Sequence, residues 1–504
     1  MDYRYRRRIG AFLSTAALIA AMSPAAAFAK TTGTGITDVA DVSVTVSGLT
    51  EGDKATAYQV FDAYIDGNNV LQYQAATGLP SDYDTIDELQ KLGGTESDAA
   101  KAAADAYSKV FADGTATGIA TPATATAGAD GKATFSGLDS GYWVVVVTST
   151  SGKTKVYQPT TIDASPTEQN GAWAPNTRAA FESNQIKSQP VNVNKGVGEN
   201  YEEKTDQYTV GQSVPFKVTT NVPNYPTDSK DATFKITDTP TAGLAIDTDS
   251  ITVTVGTTTT TTVWANGAIT TDGASAFKTT PAPTATGYTF DFAKDFVLAH
   301  PGQKVEITYY ATLTSAAFSH SATDVTGNTA TVTFNPNPYS DSTVTPDKTT
   351  KVQTYGYVFP KTDKDGKALA GATFTLYDAS GANEINGENG PITSTSTIVD
   401  GKAYVYFEDL GAGSYTAKET TVPAGKQKAQ DVQFTLSEEN AKDDNPATKV
   451  TENNYLVSDS NVVDPDQPLL PVTGDAGTAV LTIGGVALLG AACLVASRSL
   501  KRSK

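Results

Sequence analysis

The chain has 504 residues, 37 Lys and Arg against 55 Asp and Glu, a formal net charge of −18, one cysteine and two histidines. Such acidity argues against a nucleic-acid or anionic-membrane partner, because both present negative surfaces. A lone cysteine excludes an internal disulfide, and His300 and His320 sit in no ligand spacing, so neither a metal nor another cofactor is expected. There is no glycine-rich phosphate loop and no nucleophile elbow, and an enzyme is not expected.

At the N terminus, Arg4, Arg6, Arg7 and Arg8 form a positive stretch ahead of the apolar run Ile9 to Met22. Ala27-Phe28-Ala29 then places small residues at the two positions that signal peptidase reads. Cleavage after Ala29 is expected, so residues 1–29 are a leader and the product is exported. Met1 and Met22 leave with the leader, and Cys493 lies near the C terminus. An exported chain without disulfides must find its rigidity elsewhere.

Polar and apolar residues alternate over Asp41 to Ser47, Ile251 to Val255 and Ala330 to Phe334. A period of two marks strands with one buried face. Ser97 to Phe111 differs: it is Ala-rich, with Ala, Tyr and Val at helical spacing, and predicts a helix in the first domain. Thr257 to Thr262 is a run of threonines expected at an exposed strand or loop edge. Pro and polar residues gather at Gln185 to Asn192 and Asn335 to Lys351, marking two boundaries. The pattern predicts an all-β chain of three tandem β-sandwich domains, 30–188, 189–345 and 346–466, the first with a helical insertion. Asp464 to Pro468 reads as an extended spacer.

Residues 467–504 complete that spacer and end the chain. Leu470-Pro471-Val472-Thr473-Gly474 precedes an uncharged apolar run, Ala476 to Ser497, long enough to cross a bilayer. Arg498, Lys501, Arg502 and Lys504 follow as a cytoplasmic positive stop. This order resembles the cell-wall sorting signal of Gram-positive surface proteins, in which a sortase cuts between the Thr and the Gly. The resemblance implies sortase and peptidoglycan as partners.

Phe359-Pro360-Lys361-Thr362-Asp363, the run Asp365 to Leu376, and Tyr415 to Gly425 with its Tyr-x-x-x-Glu-Thr-x-x-Pro-x-Gly pattern resemble the Cna B-type domain of Gram-positive pilins and adhesins. In that family a first-strand Lys is joined through its side chain to an Asn of the last strand, and the Glu assists. Carried over, these are Lys361 and Glu419, with Asn461 as the acceptor and Asn454 as the alternative. Burial supports the chemistry, since it favours a neutral, nucleophilic amine and a protonated carboxyl group. An ordinary Lys361–Glu419 salt bridge is the competing interpretation.

Val193 to Val197, Tyr208 to Val218, Phe234 to Pro240 and Gly327 to Val332 resemble the Cna A-type pilin domain, with Pro240 where relatives have Leu. The resemblance implies a second internal bond between Lys195 and Asn328, assisted by Asp238. Ala57 to Asp62 and Phe135 to Trp143 resemble the head domain of backbone pilins, which implies immunoglobulin-like domains throughout. In those pilins a lysine near the end of the head receives the next subunit, within a Trp…Tyr-Pro-Lys motif. Trp173 is present and Lys187 has the spacing, but Ile186 precedes it; Lys155 is the alternative.

Together these resemblances imply a structural subunit of a covalently polymerised pilus shaft, anchored to peptidoglycan by sortase, supporting adhesion and contacting neighbouring pilin subunits. The location implied is the cell surface of a Gram-positive bacterium. Alternatives are a monomeric wall-anchored adhesin with a β-domain stalk, or a minor basal or tip pilin. A host or matrix ligand is left open.

Overall fold

The structure is a computed structural model that describes residues 42–91, 98–117, 119–149, 155–169, 172–174, 186–226, 229–317 and 326–468. The expected leader, the sorting pentapeptide, the apolar span and the basic end lie outside the described residues. The chain is mostly β-strand and divides into two compact units that meet between Thr354 and Tyr355.

The first unit holds a head domain and a middle domain. In the head, the strand Lys54–Ile65 pairs with Leu71–Ala75, Ala123–Thr126 and Gly141–Thr148, and Thr160–Asp163 closes the sheet. Seven of the eight residues of Gly141–Thr148 are buried, so both faces of this sheet must be covered. Trp143, Val145 and Val147 pack with Val44, Phe135 and Ile162 on one face. Tyr142 and Val144 pack on the other against Ala103, Tyr107 and Phe111 of the helix Asp98–Ala112. These helical residues recur every four positions, which gives the helix one apolar stripe aimed at the sheet.

The middle domain is a sandwich. One sheet runs Asn194–Val197, Ser213–Asn221, Lys304–Leu313, Thr252–Val255, Thr261–Ala265 and Ala268–Ile269. The other runs Lys204–Thr205, Asp347–Val352, Thr326–Phe334, Phe234–Pro240 and Tyr288–Asp291. Phe216, Phe234, Phe290, Phe292, Tyr309 and Val332 fill the space between them. Thr257 to Thr260 form the exposed tip between two strands of the first sheet. The boundary expected at residue 346 moves. Asp347–Val352 pairs with Thr326–Phe334, from Thr331↔Asp347 to Thr326↔Val352, and so belongs to the middle domain. Its inward positions are Thr350 and Val352. One of the two is polar, which is why the segment reads as a linker in sequence.

The second unit is the third domain. Tyr355–Asp363 lies between Lys402–Leu410 and Val450–Val457, and Val462–Asp464 also pairs with it in parallel. The facing sheet runs Thr393–Thr395, Thr373–Asp378, Gly413–Thr421 and Val432–Leu436. First and last strands are thus neighbours. The expected free spacer at 464–468 is corrected as well. Gln427 N–H donates to Pro465 O at 2.8 Å and Gln467 N–H to Gly425 O at 3.0 Å. Lys426 Nζ meets Asp466 Oδ1 at 2.6 Å. The chain is therefore bound to the domain as far as Gln467.

Candidate functional site

In the middle domain, strand alternation aims three polar side chains into the core. Phe234, Ile236 and Asp238 are the inward positions of one strand, and Asn328, Ala330, Val332 and Phe334 those of its neighbour. Lys195 comes from the opposite sheet, registered with the core residue Val218. Lys195, Asp238 and Asn328 meet there, each at most 5% exposed. Lys195 and Asp238 form an ion pair with neither side chain exposed.

Sequence reasoning missed the fourth member, Tyr309. Its hydroxyl accepts from Lys195 Nζ at 2.9 Å and from Asn328 Nδ2 at 2.8 Å, and donates to Asp238 Oδ1 at 3.0 Å. Phe216 stacks on its ring at 5.4 Å, and Lys195 Nζ lies 5.5 Å from both ring centroids. The walls are apolar and the effect is electrostatic. Burial drives the Lys195 amine down from the ordinary lysine range against the pull of Asp238, and drives the Asp238 carboxyl up. Both shifts favour the neutral pair, a free amine beside a carboxylic acid. Asn328 Oδ1 is buried and accepts no hydrogen bond. The inward placement of Tyr309 was legible, since Val305, Ile307, Tyr309, Ala311 and Leu313 alternate with polar residues. Its contacts were not.

In the third domain, Lys361 and Glu419 also come together in the core. Lys361 Nζ lies 2.5 Å from Asp464 Oδ1, both side chains without exposure, and 3.4 Å from Val462 O. Glu419 Oε2 accepts from Ala429 N–H at 2.6 Å. Burial first, then the neighbouring Asp464 charge, raises the Glu419 carboxyl above its usual range, with Lys361 opposing. Asp464 is therefore the carboxyl group that neighbours both Lys361 and Glu419.

The expected acceptor asparagines are elsewhere. Lys361 is in register with Val462, so side chains 462 and 464 share its face and 461 takes the other. Asn461 is accordingly exposed. Asn454 is fully buried, but it precedes Tyr455, which pairs with Gly356, five residues before Lys361. At about 3.3 Å per residue, that places it more than ~15 Å along the strand from Lys361. Asp464 occupies the position sought for the asparagine.

Lys187 is exposed and follows buried Ile186. Its carbonyl accepts from Gln158 N–H at 2.9 Å, and the strand it enters, Ser188–Pro190, pairs with Lys155–Tyr157 in a two-stranded ribbon. Lys155 is half-buried opposite Pro190. Both candidate acceptor lysines are therefore on one ribbon. Gln158 Nε2 donates to Asn224 O at 2.7 Å and ties the ribbon to the middle domain. Trp173 Nε1 donates to Asn69 O within the head. Leu470, Pro471, Val472, Thr473 and Gly474 lie outside the described residues.

Residues 356–451 match the family described as SpaA, prealbumin-like fold domain. In fold the chain resembles the T6 backbone pilin of serotype M6 Streptococcus pyogenes, a modular three-domain structure. The TM-score is 0.63 at 14% identity, covering 85% of this chain and 99% of that one. It also resembles the full-length major pilin SpaD of Corynebacterium diphtheriae, with a TM-score of 0.52 at 19% identity over 84% and 97% of the two chains. No curated protein matches the chain in sequence.

Proposed function

We propose that this chain is the shaft subunit of a covalently polymerised pilus on a Gram-positive cell surface, joined head to tail by sortase and finally to peptidoglycan. The observation that carries this is a three-domain backbone-pilin fold with a solvent-free lysine held against a carboxyl group in each of its last two domains. Leu470 to Gly474 supplies the cleavage motif, and sortase would pass the Thr473 carbonyl to a lysine amine of the next subunit. Lys187 is exposed at the head's last ribbon, where such an acceptor must be reachable.

The buried lysines serve as internal cross-links. Lys195 attacks the Asn328 carboxamide and releases ammonia, with Asp238 as the assisting acid. Lys361 is joined to Asp464 in place of Asn461, with Glu419 assisting. Here amine and carboxylic acid condense: the Nζ–Cγ bond forms, a Cγ–O bond breaks, and one water leaves. Each reaction turns a buried lysine, whose ammonium is costly to hold away from water, into a neutral amide. The fold keeps the reacting ends together, an advantage equivalent to about 10⁵–10⁸ M of effective concentration.

The test is electrophoresis of wall extracts after boiling in detergent. A high-mass ladder that disappears in a strain lacking the pilus sortase is expected. Single anchored chains with no ladder would make the protein a monomeric adhesin.

A further inference from the structure

Amide formation from Lys195 and Asn328 needs a proton moved between two nitrogens. The attacking Nζ must lose a proton as its bond to Cγ forms, and the leaving Nδ2 must gain one to depart as ammonia. Asp238 can take the first proton from the ammonium and then hydrogen-bond the carboxamide oxygen. That oxygen, Asn328 Oδ1, stands buried without a donor. Asp238 is then occupied at the oxygen, and the transfer between the nitrogens requires another group.

We infer that Tyr309 is a catalytic residue of this cross-link, its phenol relaying a proton directly from the attacking nitrogen to the leaving one. The hydroxyl oxygen lies 2.9 Å from Lys195 Nζ and 2.8 Å from Asn328 Nδ2, hydrogen-bonded to both reacting nitrogens at once. In the relay the oxygen accepts a proton from Nζ while its own proton, released from Asp238, passes to Nδ2. The Nζ–Cγ bond forms, the Cγ–Nδ2 bond breaks, ammonia leaves and the phenol is restored. Asp238 retains the proton taken from the ammonium, so atoms and charge balance. Burial holds the phenol far above its ordinary range, so it stays neutral and able both to accept and to donate. The ring is fixed by the Phe216 stack on one side and an edge contact with Tyr288 at 5.5 Å. A hydroxyl buried in the core is shielded from bulk solvent, and proton transfer by a positioned group contributes about 10²–10⁴-fold to a rate. The inference rests on the proposal that Lys195 and Asn328 become joined.

The test follows the full chain made by cell-free translation, digested at intervals and analysed for the peptide pair joining Lys195 to Asn328. In Tyr309→Phe the pair should accumulate about 10²–10⁴-fold more slowly than in the parent, while resistance of the middle domain to brief proteolysis shows that it folded. A folded variant that cross-links at the parent rate overturns the relay and leaves the cross-link standing. Absence of the pair from the parent overturns both. If Tyr309→Phe does not fold, the parent's rate in mixtures of light and heavy water decides. Two protons in flight give a bowed dependence on deuterium fraction, and a straight line overturns the relay.

Discussion

Lys361 Nζ and Asp464 Oδ1 stand 2.5 Å apart in the third domain, on neighbouring parallel strands and with no exposure of either side chain. Asp464 lies three residues before Gln467, whose N–H is bound to Gly425 O of the same domain. A bond here would close the domain between its first strand and its exit. With Glu419 able to hold a proton beside them, the pair has the partners needed to lose water.

The two proposed bonds would release different molecules, so mass separates them. The exported chain should be lighter than its sequence by one ammonia and one water. Asp464→Ala should restore the water alone, and Asn461→Ala should change nothing beyond its own substitution. A loss of two ammonias, one of them restored by Asn461→Ala, would return the bond to Asn461.

Replacing Lys187 by Ala should abolish the high-mass ladder while leaving single subunits on the wall. Lys155→Ala, on the same ribbon, should polymerise normally. The reverse pattern would move the acceptor to Lys155. Replacing Thr473 should block both polymer and anchoring.

With both bonds in place, load entering at Gln467 passes from Asp464 to Lys361, back along residues 329–360, and from Asn328 to Lys195, bypassing 362–463 and 196–327. A subunit stretched between positions 187 and 467 should show no unfolding step from either bypassed segment. Asp464→Ala should release the segment 362–463, about 100 residues, as a new step of roughly 35 nm. The same variant extending without that step would exclude Asp464 from the load path.

Asp409 gives a pH dependence. Burial, then Glu408 and Glu388, pushes its carboxyl up to about 7. The folded state therefore binds this proton more tightly than the unfolded chain, where the group titrates near about 4. Its stabilising contribution is complete below that value and is lost as pH rises to about 7, at about 1.4 kcal/mol per unit. Asp409→Asn stays neutral and suits the left-handed backbone there, φ 59°. It should melt above the parent at pH 8, with the difference fading towards pH 4. A gap that does not change with pH would exclude Asp409 as the cause.

Much of the chain was legible before folding. Alternation over Ala330 to Phe334 and helical spacing over Ser97 to Phe111 are local patterns, because one buried face dictates both periods. Lys195, Asp238, Asn328, Lys361 and Glu419 were identifiable from motifs, as each sits in a distinctive run of neighbours. What failed depended on register and on distant partners. Asn461 and Asp464 are three residues apart, and only the pairing of Lys361 with Val462 decides which of them faces inward. Asp347–Val352 looked like a linker because hydrogen bonds to Thr326–Phe334, more than its own apolar content, hold it in the sheet. Tyr309 was one inward tyrosine among many until the two sheets closed and set its hydroxyl between Lys195 and Asn328. Local periodicity fixes which side of an element is buried; only the packed sheets decide which buried groups touch.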